Sequence, residues 1–273
     1  MSDIISTAFS YFVAKGAYKK PLYHYTTIEA LFAGILSDKR NSGEEICLWA
    51  SNCEYMNDPD EIKTGIKFAE KFLTLLLDDE VCIDEKSKTN MLKDTFILSL
   101  SECADELPMW HTYGNEGKGL NLELDLTDYL AHRKNHYLAR ILYAYPSEAR
   151  RLSEKIKRLS EKTDLKELLN EMHLDTGIEL LTSILVMITK NEYYDYENEV
   201  RLACMFPEQV DYRLSKGLII PYIKVFLPKE KLKSITIGPC ADFNLTEKSL
   251  RTYLTSIGFE HVVIKQSAIN YRN

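Results

Sequence analysis

Tyr196-Glu197-Asn198-Glu199-Val200-Arg201-Leu202-Ala203-Cys204-Met205 decides the fold of this chain. From Glu199 to Leu202 polar and apolar residues alternate, and a period of two is the mark of a β-strand. Glu197, Glu199 and Arg201 then share one face, while Val200, Leu202 and Cys204 supply the opposite, buried one. Three charges on one face conflict with a packed core, where an unpaired charge is costly. Either that face is solvated or it lines a cleft. Far upstream, Leu22-Tyr23-His24-Tyr25-Thr26 reads as a partner strand, with His24 on one face and Tyr23 and Tyr25 on the other.

Working outward, Ile4, Ile5, Ala8, Phe9, Phe12 and Val13 recur at near-helical spacing, which predicts an N-terminal packing helix within residues 1–20. Thr26-Thr27-Ile28-Glu29 has the form of a capping box and opens a helix to about Leu36 that buries Ile28, Leu31, Phe32 and Ile35. Ile46 to Ser51 is a second strand. Asp58-Pro59-Asp60-Glu61 starts another helix, with Asp58 as N-cap, running to about Leu77. Strands follow at Thr95 to Ser101 and Gly117 to Asp125, with a short helix between them at Leu107 to Tyr113, and a shorter strand at Ala139 to Tyr145. Pro146 to Lys190 is predominantly helical, two helices broken near Asp175-Thr176-Gly177, and reads as an insertion (146–190). The last third returns to strands at Glu197 to Met205, Leu218 to Phe226, Ser234 to Ile237 and His261 to Lys265, with a helix from about Leu245 to Ile257.

Strand groups with segregated helices favour an α+β fold, with mixed or antiparallel sheets, over a doubly wound parallel sheet. One domain (1–273) is expected. No G-x-G-x-x-G and no G-x-x-x-x-G-K-[ST] occurs, so neither a Rossmann dinucleotide site nor a P-loop is encoded.

Six cysteines without C-x-x-C spacing point to reduced, mostly buried thiols and a cytoplasmic protein rather than a disulfide framework. The apolar run Leu180 to Ile188 is too short to span a bilayer, and no signal peptide or membrane contact is expected. His132 and His136 are spaced i,i+4 but lack an accompanying carboxylate, so no metal site is expected. The net charge of −7 argues against nucleic acid, yet residues 131–166 carry ten cations against four acids. Arg150, Arg151, Lys157 and Arg158 in that stretch form either a nucleic-acid contact or a solvated helix face whose i,i+4 pairs neutralise each other.

Tyr23-His24-Tyr25-Thr26, Tyr55-Met56-Asn57-Asp58-Pro59, Met109-Trp110-His111-Thr112-Tyr113 and Glu197-Asn198-Glu199-Val200-Arg201 together resemble the signature of a widespread bacterial family known only as a domain of unknown function. A second resemblance bears on chemistry. His24, then Ser51-Asn52-Cys53-Glu54-Tyr55 after a strand, then Glu199 on a late strand are similar to the order found in ADP-ribosyltransferases of the His-Tyr-Glu type, although no Gly follows His24.

That resemblance implies an ADP-ribosyltransferase-like core with NAD as substrate and no metal. Glu199 would be the catalytic carboxylate, with Glu197 orienting the acceptor. His24, Tyr25, Thr26, Ser51 and Tyr55 would hold NAD, and Arg201 would pair with Glu199 or meet a phosphate. Trp110 and Tyr113 either line the cleft or pack their helix on the sheet. The function so implied is modification of a macromolecule, protein or nucleic acid, as a bacterial toxin or phage-defence effector with a neutralising partner protein. Its rivals are a non-catalytic nucleotide- or protein-binding module with a degenerate cleft, and an NAD glycohydrolase.

Overall fold

Thr95–Ser101 and Glu199–Met205 are buried on both faces and pair antiparallel along their whole length, Thr95 opposite Met205 and Ser101 opposite Glu199. They form the middle of one large sheet. The computed structural model describes residues 13–14, 18–36, 45–56, 58, 60–83, 92–133, 135–160, 174–215 and 217–271. Within these the strands are β1 (Val13–Ala14), β2 (Leu22–Thr26), β3 (Glu45–Asn52), β4 (Thr95–Ser101), β5 (Leu120–Leu124), β6 (His136–Arg140), β7 (Leu142–Tyr143), β8 (Thr189–Lys190), β9 (Glu199–Met205), β10 (Asp211–Ser215), β11 (Leu218–Pro228), β12 (Leu232–Ile237) and β13 (Val263–Gln266). An eleven-stranded sheet runs β1-β6-β9-β4-β2-β5-β12-β13, with β3, β11 and β10 branching from β4. Its pairings are antiparallel except β12 with β13, and β7 and β8 form a separate parallel pair. The fold is therefore mixed α+β with a mostly antiparallel sheet.

The branch at β4 sets the position of the site. One edge of β4 is taken by β9. The other edge is shared, for Phe96 and Ile97 pair with β3 whereas Ser101 pairs with Tyr23 of β2. Strands β2 and β3 thus diverge, and the backbone between Leu98 and Leu100 lacks a strand partner on that edge. Backbone groups left this way must find other partners.

Helices cover both faces. They are α1 (Ile28–Ala30), α2 (Glu61–Leu77), α3 (Leu107–Tyr113), α4 (Glu148–Ser160), α5 (Leu174–Ile188) and α6 (Phe243–Ser256). Phe72 and Leu73 of α2, Leu152 and Ile156 of α4 and Leu185 and Ile188 of α5 form a core with Ile97, Ala139 and Ala203 of the sheet. Gly65 permits the close crossing of α2 and α5, because a Cβ there would lie 2.7 Å from the Val186 Cα. Among the described residues, the helical stretch read as an insertion thus contributes nine of the 22 buried residues of this core. On the opposite face Leu98, Leu100, Val200 and Leu202 pack with Leu250 and Leu254 of α6 and with Leu31 and Ile35.

Several boundaries differ from the sequence expectation, each for a local reason. Val13 and Ala14, expected in the N-terminal helix, pair with Ala139 and Leu138 as a strand; the expected helix over residues 1–12 lies outside the described residues. Thr27 rather than Thr26 caps α1, its hydroxyl accepting from the Ala30 N–H, so that Ile28 and Phe32 face solvent while Leu31 and Ile35 are buried. Asp60 is the N-cap of α2, and Asp58 sits two residues earlier, its side chain accepting from the Asp60 N–H. Helix α5 runs through Asp175-Thr176-Gly177 without a break, having begun at Leu174; residues 161–173 are outside the described set. Glu197 is not on β9. It ends a 3₁₀ turn (Glu192–Glu197), and Asn198 at φ 41° makes the left-handed step into the strand, a conformation that asparagine tolerates.

Candidate functional site

Where β2 and β3 part, the His24 side chain fills the gap in hydrogen bonding: its Nδ1 lies 3.4 Å from the Ser99 carbonyl. A carbonyl can only accept, so Nδ1 carries the proton and Nε2 is left as an acceptor. Burial pushes the imidazole below its ordinary value, the bond to Ser99 only partly opposing this, so the ring is neutral at pH 7. Beside it opens a cavity of about 250 Å³. Its walls include His24, Ser51, Tyr55, Tyr113, Glu197 and Glu199, contributed by segments spread across the chain.

The charged wall is a closed network. Arg201 is completely buried; its Nε donates to Glu199 Oε1 at 2.9 Å, Nη2 reaches Glu61 Oε1 at 2.6 Å and Nη1 donates to the Met187 carbonyl at 2.6 Å. Lys190, also buried, bridges Glu197 and Glu199. Glu199 further accepts from Arg201 Nη2 at 3.2 Å and from the Ser99 hydroxyl. A carboxylate offers about four lone-pair positions, so Glu199 is saturated. Glu197 receives the Tyr113 hydroxyl at 2.7 Å and Lys190, which leaves it acceptor capacity toward the cavity.

Burial alone would raise the Glu199 carboxyl, but Arg201 and Lys190 outweigh it and hold the group at about 2. Lys190 is raised in turn: desolvation opposes its charge, and Glu199 and Glu197 more than restore it. Glu61 moves the other way, since desolvation exceeds the help from an Arg201 already engaged with Glu199. The alternation read correctly that Val200, Leu202 and Cys204 are buried. The solvated alternative for Glu199 and Arg201 is overturned, because both faces of β9 are buried and its charges are paired internally.

Of the residues singled out from sequence, His24, Tyr25, Ser51, Tyr55, Tyr113, Glu197 and Glu199 meet on this cavity, and Asp58 joins them. Three do not. Arg201 stands behind Glu199 without exposure, Thr26 is buried, and Trp110 is buried with its indole donating to Asp105 at 2.5 Å and its ring edge-on to Tyr25. Trp110 thus packs α3 onto β2. Arg150, Arg151, Lys157 and Arg158 lie on α4, away from the cavity lining; Arg151 pairs with Glu148, Lys157 with Asp78 and Arg158 with Glu154, as expected of a solvated helix face. His136 opens β6 and contacts the Tyr129 hydroxyl at 2.9 Å, so helical i,i+4 spacing from residue 132 does not apply.

Lys190, Arg213, Trp49 and Glu61 also line the cavity and were not singled out. Arg213 had a signal: Asp211 to Ser215 alternates, and Lys216-Gly217 before Leu218 has hairpin form. Lys190 had none, since nothing local distinguishes it from a lysine ending an amphipathic helix.

Residues 109–202 match a family model described as a protein of unknown function (DUF2971). The matched segment spans α3 to the start of β9 and so carries Tyr113, Lys190, Glu197 and Glu199. No curated protein and no solved structure matches the chain. Among the described residues no helix is long and apolar enough to cross a membrane. All six cysteines are free thiols; Cys47, Cys53 and Cys204 are buried, Cys103 and Cys240 are half-buried, and Cys82 is exposed.

Proposed function

We propose that the cavity binds NAD and breaks the bond between nicotinamide and ribose, passing ADP-ribose to a macromolecular acceptor. The observation that carries this reading is the convergence of His24, Ser51, Tyr55, Glu197 and Glu199 on one cavity at the divergence of β2 and β3. In the reaction the C1′–N bond breaks with its electron pair leaving on the neutral nicotinamide, and the ribose passes through an oxocarbenium-like state. A fixed, ionised carboxylate beside the ribose stabilises that charge. The saturation of Glu199 shifts the contact role to Glu197: its free acceptor capacity takes a ribose hydroxyl, and the same carboxylate receives the proton lost by the acceptor when the new bond to C1′ forms. Glu199 positions Lys190, and through it Glu197.

His24 offers Nε2 to a ribose hydroxyl, and Tyr55, exposed at the cavity wall, offers a ring face to nicotinamide. At about 250 Å³ the cavity is smaller than the usual ligand site, so it encloses part of a dinucleotide and leaves the rest in its open mouth. A specific observation also supports the second reading, a non-catalytic nucleotide-binding module: both cations of the network are fully engaged by carboxylates.

His24→Ala separates site from prop. We expect NAD affinity to fall roughly tenfold, the loss of one well-made polar contact, and stability to fall by about 1 kcal/mol for the orphaned Ser99 carbonyl. Calorimetric titration and thermal melting read the two; a large melting loss with unchanged affinity makes His24 structural. The function itself is tested by incubating the protein with NAD labelled in the adenosine half, with and without cell lysate. Nicotinamide release plus label in protease- or nuclease-sensitive product supports transfer and tells the acceptor class. Release without label transfer gives hydrolysis, and binding without release gives the non-catalytic module.

A further inference from the structure

Arg213, a half-buried cation of the cavity lining, differs from Lys190 beside it and from Arg201 behind Glu199. Lys190 and Arg201 each have two carboxylates, whereas Arg213 makes no ion pair among the described residues. Its one hydrogen bond runs from Nη2 to the Ser51 hydroxyl at 2.9 Å, and its guanidinium carbon lies 5.9 Å from the centre of the Trp49 ring. Nε is sealed from solvent with no acceptor. Of five N–H donors one is used, and a buried donor without a partner carries a penalty of about 1–3 kcal/mol.

Strand pairing explains how Arg213 reaches the cavity. Asp211 of β10 is opposite Tyr222 of β11, which is opposite Ser51 of β3, so Arg213, Tyr222, Ser51 and Trp49 share a face. Tyr222 packs against Trp49 with ring centres 4.7 Å apart and the planes tilted by 36°, holding the indole beside the cation. On the apolar side of β10 the usual rule is inverted: Tyr212 and Leu214 point to solvent and the arginine points inward. A cation turned into a cavity, with spare donors and no counter-charge, is arranged to receive an anion.

We propose that Arg213, with the Ser51 hydroxyl beside it, is the phosphate-binding point of the cavity, and that the ligand it takes is a nucleoside diphosphate moiety whose ring rests on Trp49. The Arg213 guanidinium reaches Ser51 of β3, and β3 is separated from the acidic wall on β9 by β4 alone, two strand spacings or about 10 Å of sheet. An elongated ligand meets both ends: its phosphates lie toward Arg213 and its uncharged ribose toward the carboxylates, which would repel phosphate. The inference rests on the reading of the cavity as a nucleotide site, but requires no chemistry there.

The test measures binding, not turnover. ADP-ribose, adenosine and inorganic pyrophosphate are titrated calorimetrically into the parent protein and into Arg213→Gln, Arg213→Lys and Ser51→Ala, each first checked for an unchanged melting profile. The parent should bind ADP-ribose at least tenfold more tightly than adenosine and should bind pyrophosphate measurably, with affinity falling as salt rises. Arg213→Gln should remove that advantage while leaving adenosine binding unchanged. Arg213→Lys, which keeps charge but loses the planar fork, should recover only part, and Ser51→Ala should lose a smaller share. The idea is overturned if ADP-ribose and adenosine bind the parent equally, if none of the three binds at millimolar concentration, or if Arg213→Gln binds ADP-ribose as the parent does. The last result would leave Arg213 as a cation stacked on Trp49. Binding intact in a protein that releases no nicotinamide sinks the transferase reading and spares this one.

Discussion

Replacing Arg201 with methionine is expected to destabilise the protein by about 3–5 kcal/mol, the scale of breaking a buried ion pair by removing one partner. Methionine fills similar space, so the loss is electrostatic: of its two cations Glu199 keeps only Lys190, Glu61 loses its ion-pair partner, and the Met187 carbonyl loses its donor. For a chain of this size that corresponds to a fall in melting temperature of roughly 10 °C. Arg201→Lys should not rescue, because one ammonium cannot span Glu199, Glu61 and Met187 as a planar guanidinium does. Thermal and urea melts check both variants, and a fall of only 1–2 °C for Arg201→Met would mean that the network contributes little. Adding Glu61→Gln should cost less in the Arg201→Met background than in the parent, since the carboxylate has by then lost its counter-ion.

Acid acts on the same network in a definite order. Glu61, raised above its ordinary value by burial, takes a proton first; its charged form is disfavoured in the fold, so this step removes no stability. Glu199 is depressed to about 2 from an ordinary 4.5, so its contribution is complete above pH 4.5 and is lost as pH falls toward 2. In Arg201→Met both carboxylates lose the cation that opposes their burial and take up protons at higher pH than in the parent, so the stability gap between the two should narrow progressively as pH falls from 7 toward 2. A gap that is constant down to pH 2.5 would show that Arg201 does not act through Glu199.

The elements that alternation and capping specify locally were legible. Thr95–Ser101 and Leu107–Tyr113 lie where periodicity puts them, and His24, Ser51, Tyr55 and Glu199 were singled out together before their shared cavity was visible. What escaped is whatever depends on a distant partner. Whether the polar face of β9 is solvated, a cleft or a core turns on Lys190 and Glu61, and neither carries a local sign that its side chain is buried. Arg213 escaped for a different reason: on β10 the apolar residues face out and the cation faces in, so the amphipathic pattern points the wrong way. The position of Glu197 off the strand required the left-handed Asn198, which a period-two reading passes over.

Glu197 and Glu199 differ by one charge-saturated carboxylate, and glutamine at each position should give opposite profiles. Glu197→Gln keeps an acceptor for Tyr113 and leaves Lys190 with Glu199, so stability should fall by only about 1–2 kcal/mol. Turnover should fall by roughly 10²-fold or more, the size of losing an electrostatic stabiliser that touches the reacting sugar. Glu199→Gln turns an acceptor into an N–H donor facing Arg201 and Lys190, two buried cations, and should cost about 3–5 kcal/mol. In the fraction that remains folded at low temperature its turnover should drop only about tenfold, because Lys190 keeps Glu197 and the contact with ribose is intact. Nicotinamide release per folded molecule, measured well below each melting point, separates the two. The assignment reverses if Glu197→Gln turns over at the parental rate while folded Glu199→Gln is inert, for then the ribose displaces Lys190 and meets Glu199 directly.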